Sequence, residues 1–195
     1  MERLLFFVTL FASGSLAGAG LFQLNDYDPP AYPDSRTPFV VNLAQQFGKA
    51  DTLVLGDSLI EQTNMDGACG TTFNGGIGGA RLQHAIKAAP ELIQATDPDT
   101  IVIALGANHF AAGNEIGDFR RLYPQLLELA GERELVLVGV PNSDVASRNV
   151  AALARKTGAT YVPAIKGPTG PDGLHHNAEG SRAYREAISQ GCARA

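Results

Sequence analysis

Short runs of consecutive apolar residues alternate along the chain with segments in which apolar residues recur every three or four positions. The clearest runs, Thr100–Leu105 and Leu135–Val140, are rich in β-branched residues. Such runs are typical of strands that are buried on both faces. The predicted strands are 51–55, 71–74, 100–105, 135–140 and 160–162, and the predicted helices are 39–47, 58–65, 80–95, 115–130, 143–157 and 177–189.

The order of these elements predicts the fold class. Strand and helix alternate about five times, which favours a five-stranded parallel sheet with helices on both faces and right-handed crossovers. We therefore expect an α/β fold, a three-layer α/β/α sandwich. A sheet of this kind binds its ligand in the loops that follow the carboxyl ends of its strands.

The chain begins with an apolar segment that does not resemble part of a globular core. Leu4–Leu24 has 21 residues and no charge, so as a helix it would span about 31 Å, enough for a bilayer. A cleaved signal peptide and an uncleaved membrane anchor are both open interpretations of residues 1–24. Residues 25–38 contain four prolines and are typical of a linker. The folded domain is then expected at 39–195, in an extracytoplasmic location, periplasmic or secreted.

Charge and cysteine content narrow the choice of partners. The formal net charge is −5 and no basic run is present, which argues against nucleic acid as a partner. Cys69 and Cys192 can pair in an exported protein, but their spacing alone does not show that they meet. Two cysteines this far apart do not form a zinc signature.

Four loops that follow predicted strands carry the residue types that nucleophilic ester hydrolysis requires. A serine mechanism needs a base, a group that orients the base, and donors for the oxyanion. The three-residue spacing of Asp172 and His175 puts both side chains on one side of a turn, so His175 can act as base for Ser58. His176 is an adjacent rival. The donors can come from the Ser58 N–H, a glycine of the second loop and the Asn108 amide. The four loops are Gly56-Asp57-Ser58, Gly75–Gly79, Gly106-Ala107-Asn108-His109 and Asp172–His176.

Each loop also has a purely structural interpretation. Ser58 and Glu61 have the spacing of a helix-capping box, and glycines and Asn108 are common in turns. The joint occurrence of the four loops, in this order and each after its own strand, favours the chemical interpretation.

These loops resemble the four blocks of the SGNH hydrolases, the GDSL family of esterases and lipases. The matching residues are Gly56-Asp57-Ser58-Leu59, the glycines around Gly79, Gly106-Ala107-Asn108 and Asp172-Gly173-Leu174-His175. The resemblance extends over about residues 51–188. It implies a flavodoxin-like sandwich, with Ser58 as nucleophile, His175 as base, Asp172 orienting it, and no cofactor or metal.

The same resemblance implies an oxyanion hole made by Ser58, Gly79 and Asn108, with Gly78 as the alternative glycine. One residue departs from the family pattern, because His109 stands where an Asp follows the block-three Asn. His109 and Arg81 are candidate substrate-binding residues, although an exposed position on the first turn of a helix is the simpler interpretation of Arg81.

The sequence thus predicts a serine esterase, a carboxylic ester hydrolase that forms an acyl-enzyme on short acyl esters. The substrates we expect are small esters or the O-acetyl groups of an extracytoplasmic carbohydrate. An O-acyltransferase with the same triad and a non-catalytic SGNH-like binding module remain alternatives. A metal-dependent phosphoesterase is a further alternative, although a second Asp/His cluster is missing from the sequence. Its conceivable ligands are Asp57, Asn108, His109, Asp172, His175 and His176.

Overall fold

Five parallel strands form one sheet in the computed structural model, which describes residues 32–111, 113 and 116–195. The strands are β1 (Thr52–Gly56), β2 (Thr72–Gly76), β3 (Thr100–Ala104), β4 (Glu134–Val138) and β5 (Thr160–Val162). Their spatial order is β2-β1-β3-β4-β5, which is the flavodoxin-like order. The predicted fold class is therefore confirmed.

Helices cover both faces of this sheet. In the described residues they are α1 (Thr37–Phe47), α2 (Ser58–Glu61), α3 (Leu82–Thr96), α4 (Ala107–Ala111), α5 (Ile116–Ala130), α6 (Asp144–Thr157) and α7 (Ala178–Cys192). The core on one face is shared by α1, α3, α5 and α6, and the core on the other face by α2 and α7. Two helical layers with the sheet between them make the three-layer sandwich.

The strand side chains divide between these two cores by the period of two that a β-strand imposes. Leu53 and Ile101 face the core with α3 and α5, whereas Val54, Val102 and Val136 face the core with α2 and α7. All five are fully buried. Because both faces are covered, the strands are continuous apolar runs rather than alternating ones.

Two elements that follow strands at the predicted site differ from the sequence prediction. The helix at Ser58 ends at Glu61 rather than at Met65, because the Asn74 side-chain amide donates to the carbonyl oxygens of Ile60 and Thr63, at 2.9 Å each. Those carbonyls are thereby satisfied outside a longer helix. Helix α4 was not predicted, since its residues form the glycine-led third loop of the sequence analysis.

The folded unit begins before residue 39, the predicted start of the domain. Residues 31–195 form one compact unit, and Tyr32 and Arg36 both contact Glu61. The apolar segment at residues 4–24 lies outside the described residues, so the predicted signal or anchor is not tested. Among the helices of the described residues, none has the length and hydropathy needed to cross a bilayer.

A disulfide joins the two cysteines whose pairing was open. Cys69 precedes β2 and Cys192 ends α7, and their Cα atoms are 5.7 Å apart. The bridge fastens the last helix to the segment that leads into the edge strand β2.

Candidate active site

Ser58 stands at a sharp turn from β1 into α2. Asp57 is the N-cap residue, because its carboxylate accepts the Leu59 N–H at 3.0 Å. Gly56 permits the sharp turn, since a Cβ at that position would collide with the Ile60 side chain. The capping-box interpretation of Ser58 and Glu61 is therefore wrong, and the Ser58 hydroxyl is free for another partner.

That partner is His175, on a loop far along the chain. The Ser58 Oγ lies 2.9 Å from His175 Nε2, and His175 Nδ1 lies 2.7 Å from Asp172 Oδ2. Asp172 Oδ2 is an acceptor, so Nδ1 carries the proton and donates it to the carboxylate. Nε2 is then the acceptor, and the Ser58 hydroxyl donates to it. The three residues predicted as a triad are thus brought into one hydrogen-bond chain.

The loop of Asp172 and His175 is held by its own backbone. Gly170 N–H donates to the His175 carbonyl at 2.8 Å, and Asn177 N–H donates to the Pro168 carbonyl at 3.0 Å. The two segments face each other like a short hairpin. The Asn177 side chain then caps α7 by accepting the N–H groups of the first turn of that helix. His175 is therefore anchored between a hairpin and the start of a helix.

The Asp172 carboxylate has a full set of donors although it is half exposed. Besides His175 Nδ1, it accepts the backbone N–H groups of Leu174 and His175, both at 3.0 Å. The hydrogen bond from the His175 ring, followed by these two N–H groups, lowers the pKa of Asp172 to about 2. The carboxylate is consequently ionised over the whole range in which an esterase works, and can stabilise an imidazolium at His175.

The backbone and amide donors predicted for an oxyanion lie on three neighbouring loops. The Ser58 N–H is at the first position of α2, where a helix has no acceptor for it. Gly79 has a φ of 71°, and its N–H donates to no acceptor among the described residues. Asn108 Nδ2 donates to the Ala80 carbonyl at 3.3 Å, which ties the third loop to the second and leaves its other N–H unused. Gly78 N–H is engaged by Glu61, which favours Gly79 over the alternative glycine.

Ser58 and Asn108 open onto a cleft with a volume of about 240 Å³. Its walls combine apolar side chains with a few polar ones. The following lining residues were not predicted as site residues from the sequence: Leu59, Pro141, Asn142, Ile165, Lys166, Thr169 and Leu174. Asn142 could have been found by its position, because it follows β4 at the same sheet edge. A long irregular segment carries Ile165, Lys166 and Thr169, and their positions in the sequence did not indicate that they lie at the site.

The structure does not place the two candidate substrate-binding residues in this cleft. The His109 ring is 2% exposed and makes edge contacts with Phe110 and Phe119 at centroid distances of 5.3 and 5.9 Å. The substrate-binding prediction for His109 is therefore corrected, since the ring is part of the core. Arg81 precedes α3, does not line the cleft, and donates its backbone N–H to His84 Nδ1.

His176, the rival base, also lines the cleft but does not contact Ser58. Its ring packs edge-on against Tyr184 at 5.0 Å. Burial, followed by the neighbouring His175, lowers the pKa of His176. It is thus a neutral wall of the cleft near pH 7, and His175 alone has the geometry of a base for Ser58.

Asp57 adds a buried carboxyl group directly beside the nucleophile. It is 2% exposed, and burial raises its pKa to about 6 despite the opposing Leu59 N–H and the charge of His175. When it is ionised, above this pKa, it is a second negative group that favours an imidazolium at His175.

No group of three or more metal-ligating side chains occurs among the described residues. Of the conceivable ligands of the phosphoesterase alternative, Asp57, Asn108 and His176 line the cleft, but the set is incomplete. His109 is buried in the core, while Asp172 and His175 are bonded to each other.

The fold of this chain is similar to the folds of known proteins. No protein-family model and no curated protein sequence matches the chain, but several solved structures match it. A GDSL-like lipase from Bacteroides thetaiotaomicron aligns over 80% of this chain and 95% of its own, with a TM-score of 0.64 and 17% identity. The psychrotrophic esterase EstA from Pseudoalteromonas, in a structure inhibited by monoethylphosphonate, aligns over 74% of this chain and 97% of its own, with a TM-score of 0.62 and 16% identity. TesA aligns over 72% of this chain and 96% of its own, with a TM-score of 0.60 and 21% identity.

At these identities the likeness establishes the fold. The chain has the three-layer fold of the GDSL or SGNH hydrolases, as the four sequence blocks predicted. Ser58, His175 and Asp172 lie in the loops at the carboxyl edge of that fold, where an open α/β sheet binds its ligands.

Proposed function

We propose that the protein is a serine esterase that removes short acyl groups from ester substrates. The observation that carries the proposal is the hydrogen-bond chain from Asp172 through His175 to Ser58, with donor–acceptor distances of 2.7 and 2.9 Å. A serine with no neighbouring base is a weak nucleophile, whereas this chain supplies the base and its orienting group.

The proposed reaction has two stages. Ser58 Oγ attacks the ester carbonyl while His175 Nε2 takes its proton, and the carbonyl oxygen becomes an oxyanion facing the N–H groups of Ser58 and Gly79 and the amide of Asn108. The C–O bond to the alcohol then breaks, His175 returns the proton to the alcohol, and an acyl-Ser58 remains. Water that loses its proton to His175 attacks this ester, and the proton goes back to Ser58 as the acid leaves.

The size and walls of the cleft support a short acyl group. Its volume of about 240 Å³ is below the range of roughly 300–1,000 Å³ that accommodates drug-sized ligands. Leu59 and Leu174 offer apolar contacts to an acyl chain, while Asn142 and Lys166 offer polar contacts to an alcohol. Small esters and the O-acetyl groups of a carbohydrate fit this combination.

We also propose an extracytoplasmic location for this activity. The uncharged segment 4–24 would export the domain or attach it to a membrane. The Cys69–Cys192 disulfide supports the same location, because structural disulfides persist mainly in oxidising compartments.

The test is hydrolysis of p-nitrophenyl acetate, butyrate and octanoate by the purified protein, with Ser58→Ala as the control variant. We expect acetate and butyrate to be hydrolysed, octanoate to be poor, and all activity to be lost in Ser58→Ala. Equal activity in both proteins would overturn the proposal. Product analysis with an acetylated polysaccharide and a sugar acceptor separates release of free acetate, the expected result, from acyl transfer.

A further inference from the structure

Glu61 lies one turn after Ser58 on α2 and makes an unusual number of hydrogen bonds for a residue outside the triad. Its Oε2 accepts the Gly78 N–H at 2.9 Å, and its Oε1 accepts Arg36 Nε at 2.7 Å. The Tyr32 hydroxyl lies 2.9 Å from Oε1 and 3.1 Å from Oε2. The Glu61 side chain is only 19% exposed, so these are partly desolvated, charge-assisted bonds of the stronger kind.

The turn that Glu61 contacts is the one that carries Gly79. Ala80 N–H donates to the Ile77 carbonyl at 3.0 Å and closes a four-residue turn. Gly79, the third residue of the turn, has a φ of 71°, as type II turns require. The N–H of Gly79 belongs to the central peptide of this turn and is not used by the turn's own hydrogen bond.

Packing at Gly78 shows how closely the carboxylate approaches this turn. A Cβ added at Gly78 would lie 2.6 Å from Glu61 Oε2 and 2.7 Å from the Tyr32 ring. Glycine is therefore required at residue 78 if Glu61 is to accept the hydrogen bond from the N–H of that residue. At residue 76 a Cβ would collide with the Glu61 backbone, so α2 and the end of β2 are in direct backbone contact.

We propose that Glu61 is a positioning residue that aims the Gly79 N–H at the oxyanion by holding the preceding N–H of Gly78. This inference rests on the proposed esterase function. The bond at Gly78 N–H fixes the peptide that precedes the central peptide of the turn, and the Ala80–Ile77 bond closes the turn around the central peptide. Because Glu61 and Ser58 share α2, the nucleophile and the oxyanion donor are held in one rigid unit.

Arg36 and Tyr32 complete this arrangement from outside the four loops. Arg36 holds Glu61 Oε1, and the Tyr32 hydroxyl lies within hydrogen-bond distance of both carboxylate oxygens, so the carboxylate is fixed with Oε2 directed at Gly78. Both residues come from the segment before α1 that the sequence analysis assigned to the linker. That segment therefore contributes to the support of the site and is more than a connection.

The test compares Glu61→Ala with Glu61→Gln in the full-length protein. The side-chain oxygen of Gln can still accept the Gly78 N–H, whereas Ala cannot. We expect Glu61→Ala to lower kcat for p-nitrophenyl acetate by roughly 30- to 100-fold with KM unchanged, since loss of one oxyanion donor costs about 100-fold or more. Glu61→Gln should recover most of that loss. Arg36→Ala, which leaves the Gly78 bond in place, should lower kcat by less than tenfold.

A second measurement distinguishes positioning from a general structural effect. Trifluoroacetone forms a bond from its carbonyl carbon to Ser58 Oγ, with the proton going to His175 and the oxyanion to the donors. Its inhibition constant should rise in Glu61→Ala by the same factor by which kcat falls. A general structural role would instead raise KM and alter near-ultraviolet circular dichroism. Glu128→Ala, an exposed glutamate on α5, is the matched control and should behave as wild type.

The outcomes separate this inference from the proposed function. Hydrolysis that depends on Ser58 but stays within threefold of wild type in Glu61→Ala would overturn the role of Glu61 and leave the esterase proposal standing. Equal losses in Glu61→Ala and Glu61→Gln would also overturn it, because the Gly78 bond would then not be the contact that matters. A wild-type protein without Ser58-dependent hydrolysis would overturn both.

Discussion

Cys192 at the end of α7 is bonded to Cys69 before β2, across 123 residues of chain. The helix that this bond fastens is the one that follows the loop of Asp172 and His175, and it packs on the same sheet face as α2. Both cysteines pack against the core on that face.

Removal of this disulfide should lower stability more than activity. Closing a loop of this length restricts the unfolded chain by about 5 kcal/mol in the chain-entropy estimate. We expect Cys69→Ser/Cys192→Ser to unfold at a clearly lower temperature while retaining the wild-type kcat below that temperature. Thermal unfolding with and without dithiothreitol is the measurement, and the reductant should not affect the double variant. An unchanged Tm on reduction would contradict the expectation.

Asn108→Ala should lower kcat by roughly 100-fold with little change in KM, the usual result of removing one oxyanion donor. Its amide contacts the Ala80 carbonyl at 3.3 Å beside Gly79, and it acts on charge that develops only in the transition state. Steady-state kinetics on p-nitrophenyl acetate checks this, with the exposed Asn42→Ala as control. An effect confined to KM would mean that Asn108 only binds substrate.

Asp172→Asn should lower kcat by about 10²- to 10³-fold. The loss in a triad with a buried aspartate is about 10⁴-fold, and Asp172 differs because its side chain is 52% exposed and water can partly replace its charge. The exposed Asp118→Asn controls for the change of charge. Measurement of kcat at saturating substrate tests this prediction. A loss beyond 10⁴-fold would show that solvent exposure of Asp172 does not weaken its interaction with His175.

Asp57→Asn should stabilise the protein at high pH and leave it unchanged at low pH. Burial raises the pKa of Asp57 to about 6, whereas an unfolded aspartate has a pKa of about 3.9. The folded protein therefore binds the proton more tightly, and its stability falls as pH rises from about 4 through about 6. The difference amounts to roughly 3 kcal/mol at most.

Urea unfolding of wild type and Asp57→Asn at pH 4 and pH 8 measures this effect. Asn cannot ionise, but its oxygen can still accept the Leu59 N–H, so the cap is preserved. We expect equal free energies of unfolding at pH 4 and a more stable variant at pH 8. The exposed Asp66→Asn is the control for the change of side chain, and parallel curves for wild type and Asp57→Asn would contradict the raised pKa.

Leu174→Ala should reduce the preference for a longer acyl chain. Leu174 lines the cleft but is 52% exposed, so its truncation costs little stability. Loss of its apolar contact is expected to lower kcat/KM for p-nitrophenyl butyrate by roughly three- to tenfold and to spare the acetate. The exposed Val145→Ala serves as control. Equal losses for both esters would mean that the acyl chain binds elsewhere in the cleft.

Much of the fold could be predicted because each strand carries its own signal. The runs around Ile101 and Val136 are buried on both faces, which requires apolar residues at every position. The boundaries were less accurate where a distant side chain decides them. Helix α2 ends early because Asn74, from a neighbouring strand, takes its carbonyl groups.

The candidate site was also largely predictable, for a related reason. Parallel strands end at one edge of the sheet, so loops that follow different strands are brought together whatever the distance along the chain. His109 shows the limit of that argument. It follows a strand as Asn108 does, but on helix α4 successive side chains point in different directions, and the His109 ring enters the core between Phe110 and Phe119.

The sequence by itself determined the order of strands and helices and the residue types at the ends of the strands, because both depend on local patterns of polarity. Only the tertiary structure decided which groups meet. It paired Ser58 with His175, gave the helix cap to Asp57, directed Glu61 to Gly78 and joined Cys69 to Cys192. Hydrogen bonds and disulfides act over a few ångströms, and such distances between remote segments exist only once the sheet and its helices have packed.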